Sequence, residues 1–250
     1  IQTDLKKIDA IKSKKELAAV IAHHHNYGIH PLFDTGIDQD LKDINRHMAY
    51  ISQSGLLLPN KDYYFKSDSS SVKLRNNYIA HLSRMFVFLG YDKTKADKAA
   101  ASVLDLETQL AEASMGPVEM RNIEAQYNKM SIADFKKSVP SFDWNKYFND
   151  RGLAKADTII VGQPAFFKRV EAMITSVSLD VWKDYLKIHF FEAASGKLSS
   201  EIEQEVFSFF STQLRGTKKM KPRWERAINS IGWTAIGEAL GHAFVDKHFK

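Results

Sequence analysis

His23, His24 and His25 are the first residues in this sequence with the chemistry to hold a metal ion. Consecutive residues of a helix point about 100° apart, so three in a row cannot converge on one ion. The helical zinc pair is His-x-x-x-His, with ligands at i and i+4. None of the nine histidines (His23, His24, His25, His30, His47, His81, His189, His242 and His248) has a partner at that spacing. Structural and catalytic zinc sites need three or four convergent ligands, so no metal ligand is assigned. His242 and Asp246 stand at i and i+4, a spacing that suits an ordinary surface pair. Nucleophilic chemistry has as little support. The absence of cysteine removes disulfides, thiolate catalysis, Cys-type zinc sites and iron–sulfur clusters, without fixing the compartment. There is no Gly-x-Ser-x-Gly elbow and no phosphate-binding glycine loop. Gly232, Gly237 and Gly241 fall inside a helical stripe, where each costs about 1 kcal/mol against alanine, so close packing is their expected reason. The carboxylates are scattered, and spacing nominates no acid–base pair. No catalytic, metal or substrate-binding residue follows from the residues themselves.

Charge is more informative than catalysis. Arg215 to Arg226 is the densest basic stretch, with Lys218, Lys219, Lys221 and Arg223 inside it and Glu225 as its only acid. The ordinary reading is a solvated loop and helix entry. The sharper one is contact with an acidic partner or a substrate carboxylate. Over the whole chain 35 Lys+Arg stand against 30 Asp+Glu, a net charge of +5. That is mild for 250 residues and, without a basic stripe interleaved with stacking aromatics, gives no nucleic-acid partner.

These residues need elements to carry them, and the pattern is helical. Ser13 and Glu16 have capping-box spacing ahead of Leu17, Val20, Ile21 and His24, with Gly28 as a stop. Val72, Leu74, Tyr78, Leu82, Met85 and Leu89 mark a helix closed by Gly90, and a second runs from about Thr94 to Ala113. Further helices are expected from Ser131, Asp143-Trp144, Pro164, Ser178 and Ser199 or Ser200, the last through Phe209 and Phe210. A final helix is expected from Pro222, with Trp224, Ala227, Ile228, Ile231, Ala235, Ile236, Ala239 and Leu240 on one face. Pro31-Leu32-Phe33 and Met48 to Ser52 suggest a short antiparallel pair, and Thr158 to Val161 a single strand. The expected fold class is mainly α, a multi-helix lobe with at most a short β-hairpin or isolated strands. No apolar run approaches the ~20 residues of a membrane span. Ile1 to Ala10 do not read as a signal peptide, and a start at Ile1 reads as a cut from something longer.

Six segments resemble, in order, the neprilysin family of zinc metalloendopeptidases. Gly55-Leu56-Leu57-Leu58-Pro59-Asn60-Lys61-Asp62-Tyr63-Tyr64 is similar to that family's Gly-Leu-Gly-Leu-Pro-Asp-Arg-Asp-Tyr-Tyr, departing at Leu57, Asn60 and Lys61. Leu106-Glu107-Thr108-Gln109-Leu110-Ala111 resembles its Leu-Glu-x-x-Leu-Ala helix. Arg121 with Tyr127-Asn128-Lys129-Met130, then Phe142-Asp143-Trp144, follow the family's order. Leu214-Arg215-Gly216 with Pro222-Arg223-Trp224 resembles its Leu-x-Gly…Arg-Trp segment, and Gly237-Glu238-Ala239-Leu240-Gly241 through Phe249 its Gly-Glu-Ala-Leu-Gly helix.

The resemblance implies a two-lobed, mainly helical enzyme whose lobes enclose a chamber that admits peptides. In that family zinc is held by a His-Glu-x-x-His helix and a downstream glutamate, and an Asn-Ala-x-Tyr segment orients substrate. This chain contains neither motif. It is therefore expected to be an N-terminal portion, inactive by itself, with zinc supplied only in the full-length protein. Residues 1–135 are expected to form a lid-like lobe walling the chamber, and residues 136–250 a helical segment leading toward the catalytic lobe. The implied partners are that zinc-binding lobe of the same protein and peptide substrates; the implied location is extracytoplasmic. Within the motifs, Gly55 and Pro59 are expected to shape a turn, Tyr63, Tyr64, Trp144 and Trp224 to pack, and Arg223 to pair with a carboxylate. A rival reading is a freestanding helical interaction module that lost its catalytic half and binds an acidic partner.

Overall fold

In the computed structural model, which describes residues 1–232, 234 and 236–249, helices form where capping residues and apolar spacing coincide. The chain opens with α1 (Gln2–Asp9) and α2 (Leu17–Asn26). Ahead of α2 the Glu16 carboxylate accepts from the Ser13 hydroxyl at 2.9 Å and the Lys12 amide at 3.1 Å, the reach-back half of the capping box. A single turn, α3 (Asp62–Phe65), precedes α4 (Ser69–Phe88) and α5 (Lys93–Ala113). Asp68 and Asp92 cap these two by accepting from the Ser71 and Lys95 amides. Ser131, Asp143 and Ser178 do the same for α6 (Ile132–Ser138), α7 (Trp144–Asp150) and, after α8 (Pro164–Ser176), for α9 (Leu179–Ala194). Gly28 and Gly90, at φ 72° and 90°, lie just past the ends of α2 and α4, in the left-handed conformation that closes a helix at least cost. α10 (Ser200–Val206) follows.

The class is mainly α, and the strands join into one small mixed sheet. β1 (Phe33–Asp40) and β2 (Asp43–Gln53) form an antiparallel hairpin from Phe33 opposite Gln53, with an irregularity between Gln39 and Asp40. β3 (Asn128–Ser131) pairs antiparallel with β4 (Thr158–Val161), and β4 pairs parallel with β2 over Ala49–Ile51 and Ile159–Val161. The sheet order is β1-β2-β4-β3. The expected pairing of Phe33 with the Met48–Ser52 segment is thus one end of a longer hairpin, and the expected strand 158–161 is a central strand. The outer half of β1 and all of β3 gave no strand signal because they carry Asp, Gln, Asn and Lys with no apolar alternation. The outer half of β1 is paired by β2 and β3 by the buried strand β4.

Two compact units divide the chain, Ile1–Val206 and Phe207–Lys250. The first has an aromatic core in which Phe33, Phe135, Phe142, Trp144 and Tyr147 meet edge to face or tilted, with Trp144 and Phe135 ring centroids 4.6 Å apart. The Trp144 indole N–H donates to the Val139 carbonyl at 2.8 Å, so its burial leaves no donor unpaired. α4, α5, α8 and α9 pack around a second patch that includes Leu82, Phe86, Val103, Leu106 and Trp182. Helices and strands from both sides of residues 135–136 share this sheet and core, so the packing division falls after Val206.

The second unit begins with a π-helical stretch, Phe207–Gln213, which takes up Phe209 and Phe210 after α10 has ended at Val206. It continues with α11 (Arg223–Ile231) and α12 (Gly237–His248). The single last helix expected from Pro222 is therefore two. Gly232 closes α11 and Gly237 opens α12, where a Cβ would lie 2.7 Å from the Gly232 carbonyl oxygen, so close packing is the reason for glycine at 237. Ala235 of the expected stripe lies outside the described residues.

Candidate functional site

The three consecutive histidines go to three places, as helical geometry requires. His23 sits at the surface, its Nε2 2.8 Å from Asp4 Oδ1. His24 is buried with its ring stacked on Phe190, centroids 5.4 Å apart, and burial lowers its pKa to about 4. His25 is buried with Nε2 3.2 Å from the Pro31 carbonyl and Nδ1 2.6 Å from Tyr147 Oη. A carbonyl only accepts, so Nε2 carries the proton and Nδ1 accepts from the tyrosine, which in turn accepts from Thr35 Oγ1 at 2.6 Å. Burial lowers the His25 pKa to about 3, so the ring stays neutral in this chain of bonds. Among the described residues no group of three or more His, Asp or Glu could hold a metal ion. Of the three consecutive histidines, His24 packs on an aromatic ring and His25 takes its place in a buried chain of hydrogen bonds. His242 and Asp246 do pair, at 3.1 Å on α12.

The chemistry-bearing side chains that the fold does gather lie beneath Gly55–Tyr64. Glu107 of α5 is completely buried and works as an acceptor for that loop. Its Oε2 accepts from Tyr78 Oη at 2.7 Å and Tyr64 Oη at 3.0 Å, and its Oε1 from the Leu57 amide at 3.2 Å. His189 Nε2 of α9 lies 3.4 Å from the same Oε1. Burial and the neighbouring carboxylate push both tyrosine pKa values well up, so the phenols remain donors. Tyr185 of α9 completes the cradle. Its hydroxyl donates to the Gly55 carbonyl and accepts from the Leu32 amide, both at 2.8 Å. Gly55 is at φ 85°, and a Cβ there would overlap Tyr185 Oη and the Leu32 backbone, so two constraints require glycine.

The departures from the family pattern in this loop are accommodated. Asn60 Oδ1 accepts from the Asp62 amide at 2.9 Å, the turn-forming bond an aspartate would make. Lys61 Nζ donates to the Ser114 carbonyl at 2.7 Å, tying the loop to the end of α5. Gln53 spans the same region with two bonds to Met115, Nε2 to O at 2.9 Å and Oε1 to N at 2.7 Å. These walls border a cavity of about 380 Å³ between Leu58, Lys61, Met115 and Met120.

A second gathering point is Asp40, at the turn of the hairpin. Its carboxylate accepts from Tyr127 Oη at 2.7 Å, Lys129 Nζ at 2.9 Å and the Lys42 amide at 3.0 Å. These donors, led by Lys129, hold the carboxyl well below the usual carboxylate range. Asn128 bonds the Ala125 and Val161 carbonyls at 2.9 and 3.0 Å. The stretch Tyr127-Asn128-Lys129 is thus a clamp on the hairpin and on β4. Sequence reasoning found the clamp but not Asp40, and found Glu107 and Tyr64 but not Tyr78 or Tyr185. The partners lie far along the chain in segments with no motif of their own.

The packing expectations divide. Tyr64 and Trp144 are buried and Tyr63 is partly covered, but Trp224 is 65 % exposed. Trp224 projects from the first turn of α11, whose residues are all exposed or half-exposed. Arg223 has no carboxylate partner among the described residues, because the one acid of its helix, Glu225, is taken by Lys221 at 2.6 Å. Arg226 donates to the Lys221 carbonyl. The basic stretch is a solvated loop and helix entry.

Comparison with known proteins gives the same picture over the whole length. The family model for peptidase family M13 matches residues 1–250. Neprilysin-3 of Drosophila melanogaster is 25 % identical over 90 % of this chain and 30 % of that protein. Endothelin-converting enzyme 1 of Cavia porcellus is 27 % identical over 93 % of this chain and 31 % of that protein. The inhibitor-bound zinc metalloprotease Zmp1 of Mycobacterium tuberculosis superposes with a TM-score of 0.92 at 27 % identity, covering 99 % of this chain and 38 % of that one. The same enzyme in its open state gives 0.91 at 26 % identity over 100 % of this chain. The chain spans under a third of the length of these curated relatives.

Proposed function

The chain belongs to peptidase family M13, and on that premise we propose that it walls the substrate chamber of a zinc-dependent metalloendopeptidase without itself being catalytic. It is homologous to the N-terminal portion of neprilysin-like and endothelin-converting enzymes and of Zmp1. The observation that carries the proposal is the family match over all 250 residues of a chain that covers only 30–31 % of its relatives. Residues 1–135 would form the lid-like wall that limits entry to peptides. Residues 136–250 would lead toward a catalytic lobe of the same protein, where zinc would be bound. On this reading the chain would contribute shape and rigidity rather than a step of hydrolysis, consistent with the lack of any three-ligand cluster among the described residues. By family resemblance the protein would work outside the cytoplasm.

A second observation supports a lobe with a missing neighbour over a freestanding interaction module. The second unit exposes Trp224, Ile228, Leu240, Phe244, Val245 and Phe249 on α11, α12 and the residue after it. Freestanding monomers seldom expose apolar groups at that density. The test compares this chain alone with the full-length protein on a fluorogenic peptide and on a folded protein substrate. The full-length protein should cleave the peptide, spare the folded protein and lose activity to a chelator, while this chain should cleave neither. Chelator-sensitive cleavage by the isolated chain would overturn the proposal.

A further inference from the structure

A second buried ionic cluster lies one turn along α4 and α9 from the Glu107 cradle. His81 of α4 has no solvent exposure. Its Nε2 is 2.8 Å from Glu192 Oε1 on α9, and its Nδ1 is 2.8 Å from Glu205 Oε1 on α10. Arg84, one turn along α4, places its guanidinium 2.8 Å from the same Glu205 oxygen. Ionised carboxylates accept and cannot donate, so both ring nitrogens must carry protons and the ring is an imidazolium. The two cations then balance the two anions. Removing the ring proton turns one nitrogen lone pair toward a carboxylate and leaves an uncompensated negative charge in a site of low polarity.

The charged groups around the ring come from three helices. α4 contributes Arg84, α9 contributes Glu192, and α10 contributes Glu205. α5 directs Glu107 to the Tyr78 hydroxyl, one turn before His81, rather than to the imidazole. Burial pulls the His81 pKa down, but the bonds to Glu192 and Glu205 outweigh it and the net shift is upward. α10 has no buried residue of its own and runs without a break into the π-helical stretch Phe207–Gln213, so Glu205, paired with His81 and Arg84, is what ties it to α4.

We propose that His81, Glu192 and Glu205 form a proton-dependent tie that holds α10 against α4 and lets it go when the imidazole loses its proton. A group whose pKa is raised by folding stabilises fully below its unfolded value, and the contribution is lost as pH rises through the folded one. α10 is therefore fastened below the ordinary histidine pKa, while the two carboxylates stay ionised, and is loosened as pH rises through the raised one. The inference rests on this chain's geometry and does not depend on the peptidase reading.

The test is hydrogen exchange of residues 200–206 in the intact protein, from about pH 6 to 10, corrected for the intrinsic rate. The His81 ring is followed by NMR in the same samples. Opening of 200–206 should rise about tenfold per pH unit between the ordinary histidine pKa and the raised one, since one proton is released on opening in that window. The midpoint should coincide with the ring titration. Glu205→Gln should flatten the profile, and Glu201→Gln, an exposed acid of the same helix, should leave it as it is. His81→Gln should flatten it too; if that variant does not fold, Glu205→Gln carries the same comparison. A ring that titrates at or below the ordinary value, or a flat profile in the unsubstituted protein, would overturn the proposal.

Discussion

At the scale of the residue, two buried carboxylates each gather three donors. Glu107 satisfies two phenols and an amide at once, and all three donors lie in segments distant from α5. Glu107→Ala leaves those donors buried without an acceptor and should cost about 3 kcal/mol, read from the midpoint of urea unfolding. Glu107→Gln keeps an acceptor oxygen and should cost less than half as much. Equal losses for the two would mean that side-chain volume, not hydrogen bonding, is what matters there. Asp40 is tested by pH instead. Its three donors depress its pKa, so its contribution is complete above the ordinary aspartate value and fades as pH falls through the depressed one. Amides of residues 33–53 should exchange faster in Asp40→Asn than in the unsubstituted chain at neutral pH, and the difference should vanish in strong acid. Both sites were half legible in the sequence. Glu107, Tyr64, Tyr127 and Lys129 stand in segments whose order is recognisable, whereas Tyr78, Tyr185 and Asp40 are single residues in unremarkable surroundings. Spacing along a chain identifies residues that act on one element, and these sites are built between elements.

At the scale of the element, the helices were readable because their causes are local. Ser131, Ser178 and Pro164 each mark a first turn, and Gly28 and Gly90 each mark an end. The strands were less readable because β3 and the outer part of β1 are polar, and they owe their pairing to β4 and β2 and to the Asp40 clamp. Glycine substitutions separate the two kinds of cause. Gly55→Ala meets both a left-handed backbone and the Tyr185 hydroxyl, and should destabilise by more than about 3 kcal/mol or prevent folding. Gly36→Ala lies in β1 with open space around its Cβ position and should be neutral or stabilising by a few tenths of a kcal/mol, about what reduced freedom of the unfolded chain supplies. Thermal denaturation of both variants side by side checks this, and a comparable loss at the two sites would refute the reading of Gly55 as a steric requirement.

At the scale of the whole molecule, two features bear on how the chain associates and how it is made. The second unit carries exposed aromatic and aliphatic side chains on α11 and α12. Trp224→Ser with Phe244→Ser should change the stability of the chain by no more than about 0.5 kcal/mol, because exposed substitutions away from the buried core rarely do more. The same pair should reduce self-association of the isolated chain, measured by sedimentation; unchanged association would assign the stickiness elsewhere. The other feature is the sheet. β2 and β4 pair parallel, and the bond that extends their seam, Gln53 amide to Gln163 Oε1, joins residues 110 positions apart. At roughly 5–20 residues added per second, the ribosome therefore leaves the finished β1–β2 hairpin without its neighbour for about 5–20 s. During that interval one edge of β2 is an open template carrying Ala49 and Ile51, available to any other unpaired strand. The long detour between β2 and β4 makes the nascent chain, more than the finished one, the state in which this edge is open to mispairing.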